Sequence, residues 1–220
     1  MTRQRLLRAA GACSALGALS MTLTLAEGAP AAPADTAVPA GGGPDVAIAG
    51  RRLNVLSGRR ALVRGRVAPP TPGAAVALQR RSGRGWHTID RARMTSDGRF
   101  SFRFRPRRTG SAQVRVRAGA AREQVGRLNV YRRTTVSWYG PGLFGGHLGC
   151  GGTLTPQTLG VAHKTLPCGT RVTLRNGSRT IRVRVVDRGP YVGGREFDLT
   201  SATRARLGFS GVGTLLVAHR

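Results

Sequence analysis

The feature that most constrains this chain is a set of short runs in which apolar and polar residues alternate one by one. Phe100, Phe102 and Phe104 alternate with Ser101, Arg103 and Arg105, and Val114 and Val116 alternate with Arg115 and Arg117. Ile181, Val183 and Val185 interleave with Arg182, Arg184 and Val186 in the same way. Successive side chains of a strand point to opposite faces, so a period of two describes a strand with one buried face. The 32 Gly and 12 Pro among 220 residues break the chain into many short strands and leave few long apolar runs. The expected fold class is all-β.

Residues 1–34 read as a signal peptide. Arg3, Arg5 and Arg8 precede an apolar stretch from Ala9 to Ala26, and Ala29-Pro30-Ala31 or Ala32-Pro33-Ala34 offers a small-residue cleavage site. An uncleaved anchor helix is the alternative, and the Gly, Ser and Thr within the stretch disfavour it. Residues 35–44 are an Ala/Pro/Gly-rich linker unable to bury a core. Residues 45–131 show several short strands with turn signals between them and no helical period, which argues an antiparallel β-sandwich. This stretch resembles the immunoglobulin-like modules attached to many bacterial exported proteins. Residues 134–220 hold six short strands, a hairpin signal at Asn176-Gly177, and one helix, Ser201 to Leu207, capped by Thr200 and stopped at Gly208.

Export decides how the cysteines and the charge are read. With Cys13 removed in the signal peptide, Cys150 and Cys168 remain as a pair in an oxidising compartment, expected to form a structural disulfide; a reactive thiol is the alternative. Two cysteines are too few for a closed zinc site, and no metal cluster or phosphate-binding loop is visible, so no metal and no cofactor is expected. The net charge is +27, and every Lys or Arg except Lys164 is arginine. Residues 45–131 carry twenty Arg against four acids. Outside the cell such a surface meets anionic wall polymers and not nucleic acid; a solvated face that only keeps the protein soluble is the other reading.

Against that background residues 134–220 contain three acidic residues, Asp187, Glu196 and Asp198, and eleven Lys or Arg. All three acids fall within Val185 to Leu199. Asp187 ends a predicted strand just before the loop Arg188-Gly189-Pro190, where a rigid sheet can aim a carboxylate into a cleft. Alternation puts Glu196 and Asp198 on one face and Phe197 on the other.

Four segments in order, Ser137-Trp138-Tyr139-Gly140, Ala162-His163-Lys164-Thr165-Leu166-Pro167, Asp187-Arg188-Gly189-Pro190-Tyr191 and Phe197-Asp198-Leu199, resemble the RlpA (rare lipoprotein A) family. The resemblance covers residues 134–220 and implies a six-stranded double-psi β-barrel. It further implies cleavage of peptidoglycan glycan strands as a lytic transglycosylase, with Asp187 as the catalytic aspartate and His163 as the site histidine. Glycosidic cleavage needs an acid for the leaving oxygen. When the sugar's own hydroxyl replaces water, one carboxyl group serves as acid and then as base. The sequence departs from the family pattern at Gly152, which occupies the place of a family glutamate. Asp198 is a candidate to compensate, because membrane-bound lytic transglycosylase A resembles this chain in using an aspartate after a phenylalanine. Tyr139, Arg188, Tyr191 and Glu196 are expected to contact the glycan.

Each assignment has a structural alternative: an ion pair with a nearby Arg for Asp187, hydrogen bonds to the helix start for Asp198, a satisfied strand-end imidazole for His163, and barrel packing for the tyrosines. The sequence therefore predicts a monomeric, secreted or cell-wall-associated protein acting on glycan strands. The alternative is a non-catalytic, expansin-like module that binds or loosens the wall.

Overall fold

The structure, a computed structural model, describes residues 44–219. The expected signal peptide, and all of the expected linker except Pro44, lie outside the described residues. Among the described residues fourteen elements follow one another, thirteen strands and one short helix. Strands β1 (Asp45–Arg52), β3 (Ala61–Ala68) and β6 (Arg99–Phe104) form an antiparallel sheet in the order β1-β3-β6. A second sheet runs β5 (Gly85–Arg93), β4 (Ala75–Ser82), β7 (Gly110–Ala118) and β8 (Ala121–Tyr139), and β2 (Asn54–Leu56) adds to β8 in parallel. The alternating residues read from the sequence point inward. Val63 and Phe102, opposite each other in the first sheet, share a core with Val76, Leu78, Val114 and Val116 of the second. Their arginine neighbours face solvent.

Strand β8 is 19 residues long and belongs to two bodies at once. Its first half pairs with β7, from Ala121 opposite Ala118 to Val130 opposite Gly110. The junction expected at Arg132 and Arg133 is therefore the interior of a strand. From Arg132 onward β8 pairs antiparallel with β13 (Gly213–His219), and from Val136 also in parallel with β12 (Phe197–Thr200). Polar side chains fasten the handover: Asn129 and Tyr131 both donate to Asn54 Oδ1, at 2.8 and 3.0 Å, and Ser111 donates to Asn129. Tyr131 itself is fully buried.

The second body uses the end of β8 with β9 (Val161–Ala162), β10 (Arg171–Asn176), β11 (Arg179–Asp187), β12 and β13. Hydrogen-bonded neighbours run β12-β9-β11-β10-β13-β8, and the β8–β12 pairing returns to the start, so six strands close a barrel. Its core is Val136, Val161, Val172, Leu174, Val185, Phe197, Leu199 and Val217. Asn176-Gly177 makes the β10–β11 hairpin. Helix α1 (Ser201–Leu207) starts at Thr200, whose side chain accepts from the Thr203 amide, and ends at Gly208 in the left-handed conformation. Cys150 and Cys168 are disulfide-bonded, with Cα atoms 5.5 Å apart.

One close approach sets the barrel's dimensions beside β9. Gly160 exchanges hydrogen bonds with the buried hydroxyls of Thr200 and Thr203. A Cβ at this position would lie 2.2 Å from Val186 Cγ2 and 2.8 Å from Cγ1. Val186 is β-branched and has few rotamers to escape into. Gly160→Ala is expected to cost about 1–3 kcal/mol, as overpacking does, and Val186→Ala in the same chain should recover most of the loss in a thermal melt. Reduction, or Ala at both Cys150 and Cys168, is expected to cost roughly 3 kcal/mol by loop-closure entropy; denaturant titration with and without reductant measures it.

Candidate functional site

The sheet register brings the predicted carboxylates to one end of the barrel. Asp187 of β11 and Asp198 of β12 both lie opposite Ala162 of β9, and Asp198 is also opposite Ser137 of β8. Two strand spacings separate the aspartates, so their backbones are roughly 9–10 Å apart and their side chains rise from one face. Tyr139, two residues beyond Ser137, shares that face.

Asp187 is held by backbone donors. Gly149 N–H and Arg188 N–H both donate to its Oδ1, at 2.7 and 2.8 Å. It makes no ion pair among the described residues, because the Arg188 guanidinium turns away to the carbonyls of His163 and Leu166 and to Cys168 Sγ, at 3.1, 2.8 and 2.9 Å. The structural alternative for Asp187, pairing with the adjacent arginine, is thus not what the geometry contains. Arg188 instead braces the loop from His163 to Cys168 beneath it. Asp198 accepts a hydrogen bond from the buried Ser137 hydroxyl, and the helix start is capped by Thr200 without its help.

Between these groups sits Tyr139. Its hydroxyl is buried and has no hydrogen-bond partner of good geometry. Burial first, then the nearby charge of Asp187, hydrogen bonding toward Asp187 and more weakly the charge of Asp198, push its pKa far above the usual phenol value. The phenol therefore stays protonated, a buried donor beside the Asp187 carboxylate.

His163 and Glu196 form a second cluster. The amides of Thr165 and Leu166 both donate to His163 Nδ1, at 3.1 and 3.0 Å, so the ring is neutral and its proton is on Nε2. Nε2 lies 3.7 Å from Glu196 Oε1, an electrostatic contact longer than a hydrogen bond. Glu196 is clamped by both terminal nitrogens of Arg132 and by the Thr134 hydroxyl, and the Arg132 hydrogen bond holds its carboxyl below the usual range. His219, which had no evident partner in the sequence, stands 3.2 Å from Arg132. A cleft of about 440 Å³ opens beside this cluster, lined by Arg133, Thr134, Thr135, His163, Lys164 and Glu196.

Tyr191 is 81 % exposed on the loop after Asp187, and Phe144 is 40 % exposed on the loop after Tyr139. Gly152 is exposed, with φ +84°, and open space where a side chain would begin. Among the described residues no group of three His, Cys, Asp or Glu could hold a metal ion. Sequence reasoning did not single out Ser137, Arg132, His219 or Phe144 as site residues. Only Ser137 had a local signal, its place beside Tyr139 in a matched segment.

Burial lowers the pKa of both His163 and His219 below the ordinary imidazole value. The unfolded chain therefore takes up these protons first, and stability falls as pH drops below about 6.5. Glu196 adds a separate loss below about 4.5, since its folded pKa is depressed. Melting temperature measured from pH 7.5 to 5 should decline, and His163→Asn together with His219→Asn should flatten the decline.

Residues 132–219 match the family described as Lytic transglycolase, whose domain is a double-psi β-barrel. Over 84 residues the chain is 45% identical to the probable endolytic peptidoglycan transglycosylase RlpA of Synechocystis, covering 36% of this chain and 26% of that protein. It is 42% identical over 80 residues to the Campylobacter jejuni endolytic peptidoglycan transglycosylase RlpA, covering 36% and 29%. It is 39% identical over 85 residues to the Pseudomonas aeruginosa protein of the same name, covering 38% and 25%. The chain thus spans about a quarter of the length of these relatives. Ring closure through β8 and β12, the order of the matched segments and these similarities agree: residues 132–219 are an RlpA-like double-psi β-barrel domain.

Proposed function

We propose that this protein is an exported cell-wall protein that cleaves the glycan strands of peptidoglycan by lytic transglycosylation. The observation that carries this reading is the Asp187 carboxylate. It makes no ion pair among the described residues, is aimed by two backbone N–H groups, and stands beside the buried Tyr139 hydroxyl. A carboxylate kept free of ion pairs can exchange a proton with substrate.

In this reading the protonated Asp187 carboxyl gives its proton to the glycosidic oxygen as the C1–O bond breaks. The resulting carboxylate then takes the proton of the sugar's own hydroxyl as that oxygen attacks C1. The products are a free hydroxyl at one new glycan end and an anhydro sugar, closed by its own hydroxyl, at the other, and no water is consumed. One carboxyl group performs both transfers, so the absence of a carboxylate at Gly152 does not stop the cycle. Tyr139 donates to the developing oxygen or to Asp187, and Asp198, fixed by Ser137, stands on the same face. His163, with Nε2 toward Glu196, lines the cleft beside the barrel. Tyr191 and Phe144 offer aromatic surfaces to sugar rings, while Arg188 and Glu196 shape the walls through their partners. The second reading, a non-catalytic expansin-like module, is favoured by Gly152, whose left-handed backbone disfavours a glutamate there.

Mass spectrometry of purified sacculi incubated with the protein separates the two. Anhydro-ended fragments are expected from the native chain, with at least a roughly hundredfold loss in Asp187→Asn and a smaller loss in Tyr139→Phe. Glycan binding should persist in both variants. Absence of product from the native chain would favour the expansin-like reading, and product undiminished in Asp187→Asn would move the chemistry to Asp198.

A further inference from the structure

The barrel's outer wall and the second sheet of the preceding body meet in a groove of about 490 Å³ that contains five arginines, Arg81, Arg127, Arg171, Arg182 and Arg184. Its remaining lining residues are Ser, Ala, Gln, Gly and Thr, so it contains no carboxylate and no aromatic ring. Arg171 and Arg184 lie directly opposite each other in the β10–β11 hairpin, and Arg182 is two residues from Arg184 on the same face. Like charges directly opposite in a sheet destabilise it. None of the five makes an ion pair among the described residues. Burial and neighbouring guanidinium groups lower the pKa of Arg127 and of Arg182, and the charges acting on Arg182 are those of Arg127, Arg171 and Arg184. Arginine nevertheless stays charged at neutral pH, so the repulsion has no protonation outlet.

A fold that holds cations together without counter-ions stores a cost that a bound anion removes. The planar guanidinium matches phosphate oxygens in a bidentate way, and several along one groove suit a ligand with repeated charges. Three of the arginines come from the barrel and two from the preceding body, so the site exists only where β8 joins the two. We propose that this groove binds a linear, phosphate-rich polyanion through Arg127, Arg171 and Arg182, with Arg81 and Arg184 beside them. Single-stranded nucleic acid fits less well, because its bases need aromatic platforms that the groove lacks. The proposal is independent of the reading of Asp187.

The test titrates the full chain with sodium polyphosphate at fixed ionic strength. Arg127→Gln/Arg171→Gln/Arg182→Gln is compared with Arg64→Gln/Arg91→Gln/Arg103→Gln, which removes the same charge from exposed strand positions outside the groove. The groove variant should bind about tenfold more weakly or worse, and the control should stay close to the native chain. The groove variant should melt no lower than the native chain without ligand, since repulsion has been relieved, and polyphosphate should no longer raise its melting temperature. Arg127→Lys/Arg182→Lys keeps the charge and should recover only part of the binding. Equal losses in groove variant and control would overturn the proposal. So would polyglutamate, anionic lipid vesicles or single-stranded DNA binding as tightly as polyphosphate. Cleavage of sacculi by the groove variant, if the native chain cleaves, should be unchanged in its products, which keeps this result separate from the Asp187 test.

Discussion

The parallel pairing of β12 with the end of β8 is the contact on which the rest of the barrel depends. Without it the six strands form an open sheet with two unpaired edges, and open edges are both unstable and prone to further pairing. With it the ring closes, Asp198 meets Ser137, and Phe197 and Leu199 turn into the core. The same β12 pairs on its other side with β9, which in turn pairs with β11 through Asp187. Closure thus fixes Asp198 against Ser137, while β9 between β11 and β12 brings the two aspartates to one face. A shift of one residue in the β8–β12 register would send Asp198 inward and Leu199 to solvent, so core packing enforces the site geometry.

Charge is the second organising constraint. Glu196 pairs with Arg132. Asp187 makes no ion pair among the described residues, and the adjacent Arg188 is engaged elsewhere. The Arg188 side chain spends its donors on two carbonyls and a disulfide sulfur. Those same bonds tie down the loop that carries His163, whose Nδ1 is satisfied by the loop's own amides. The arginine beside the proposed acid thus stabilises backbone and leaves the acid's charge uncompensated.

What was legible in the sequence follows the range of the interactions. The Asn176-Gly177 hairpin, the Thr200 cap and the Gly208 stop rest on contacts within a few residues, and local chemistry announces them. The inward faces of β3, β6 and β11 follow from period two alone. The 19-residue β8 was not legible as one strand, because the double arginine at 132 and 133 reads as a break while the structure lays these residues along β13. Nor was the fate of Glu196. Alternation put it on the face of Asp198, yet it leans toward Arg132, 64 residues away, a partner no periodicity specifies. Likewise the donors that aim Asp187 include a glycine amide 38 residues earlier.

Gly149 and Gly152 shape the loop before β9. A Cβ at Gly149 would press on Arg188 Cγ at 2.8 Å and on Asp187 Oδ1 at 3.1 Å, so this glycine lets the backbone come close enough to donate to Asp187. The chain then turns through Gly151 and Gly152, both in the left-handed region, and Leu148 N–H bonds back to the Gly152 carbonyl. Cys150, joined to Cys168 and donating from its amide to Val186, holds that turn against the end of β11. The tight turn and a side chain at 152 compete for the same backbone, because only glycine adopts that conformation without strain. Here the backbone has won: the loop spends its conformational freedom on the turn that supplies Asp187 with an N–H donor.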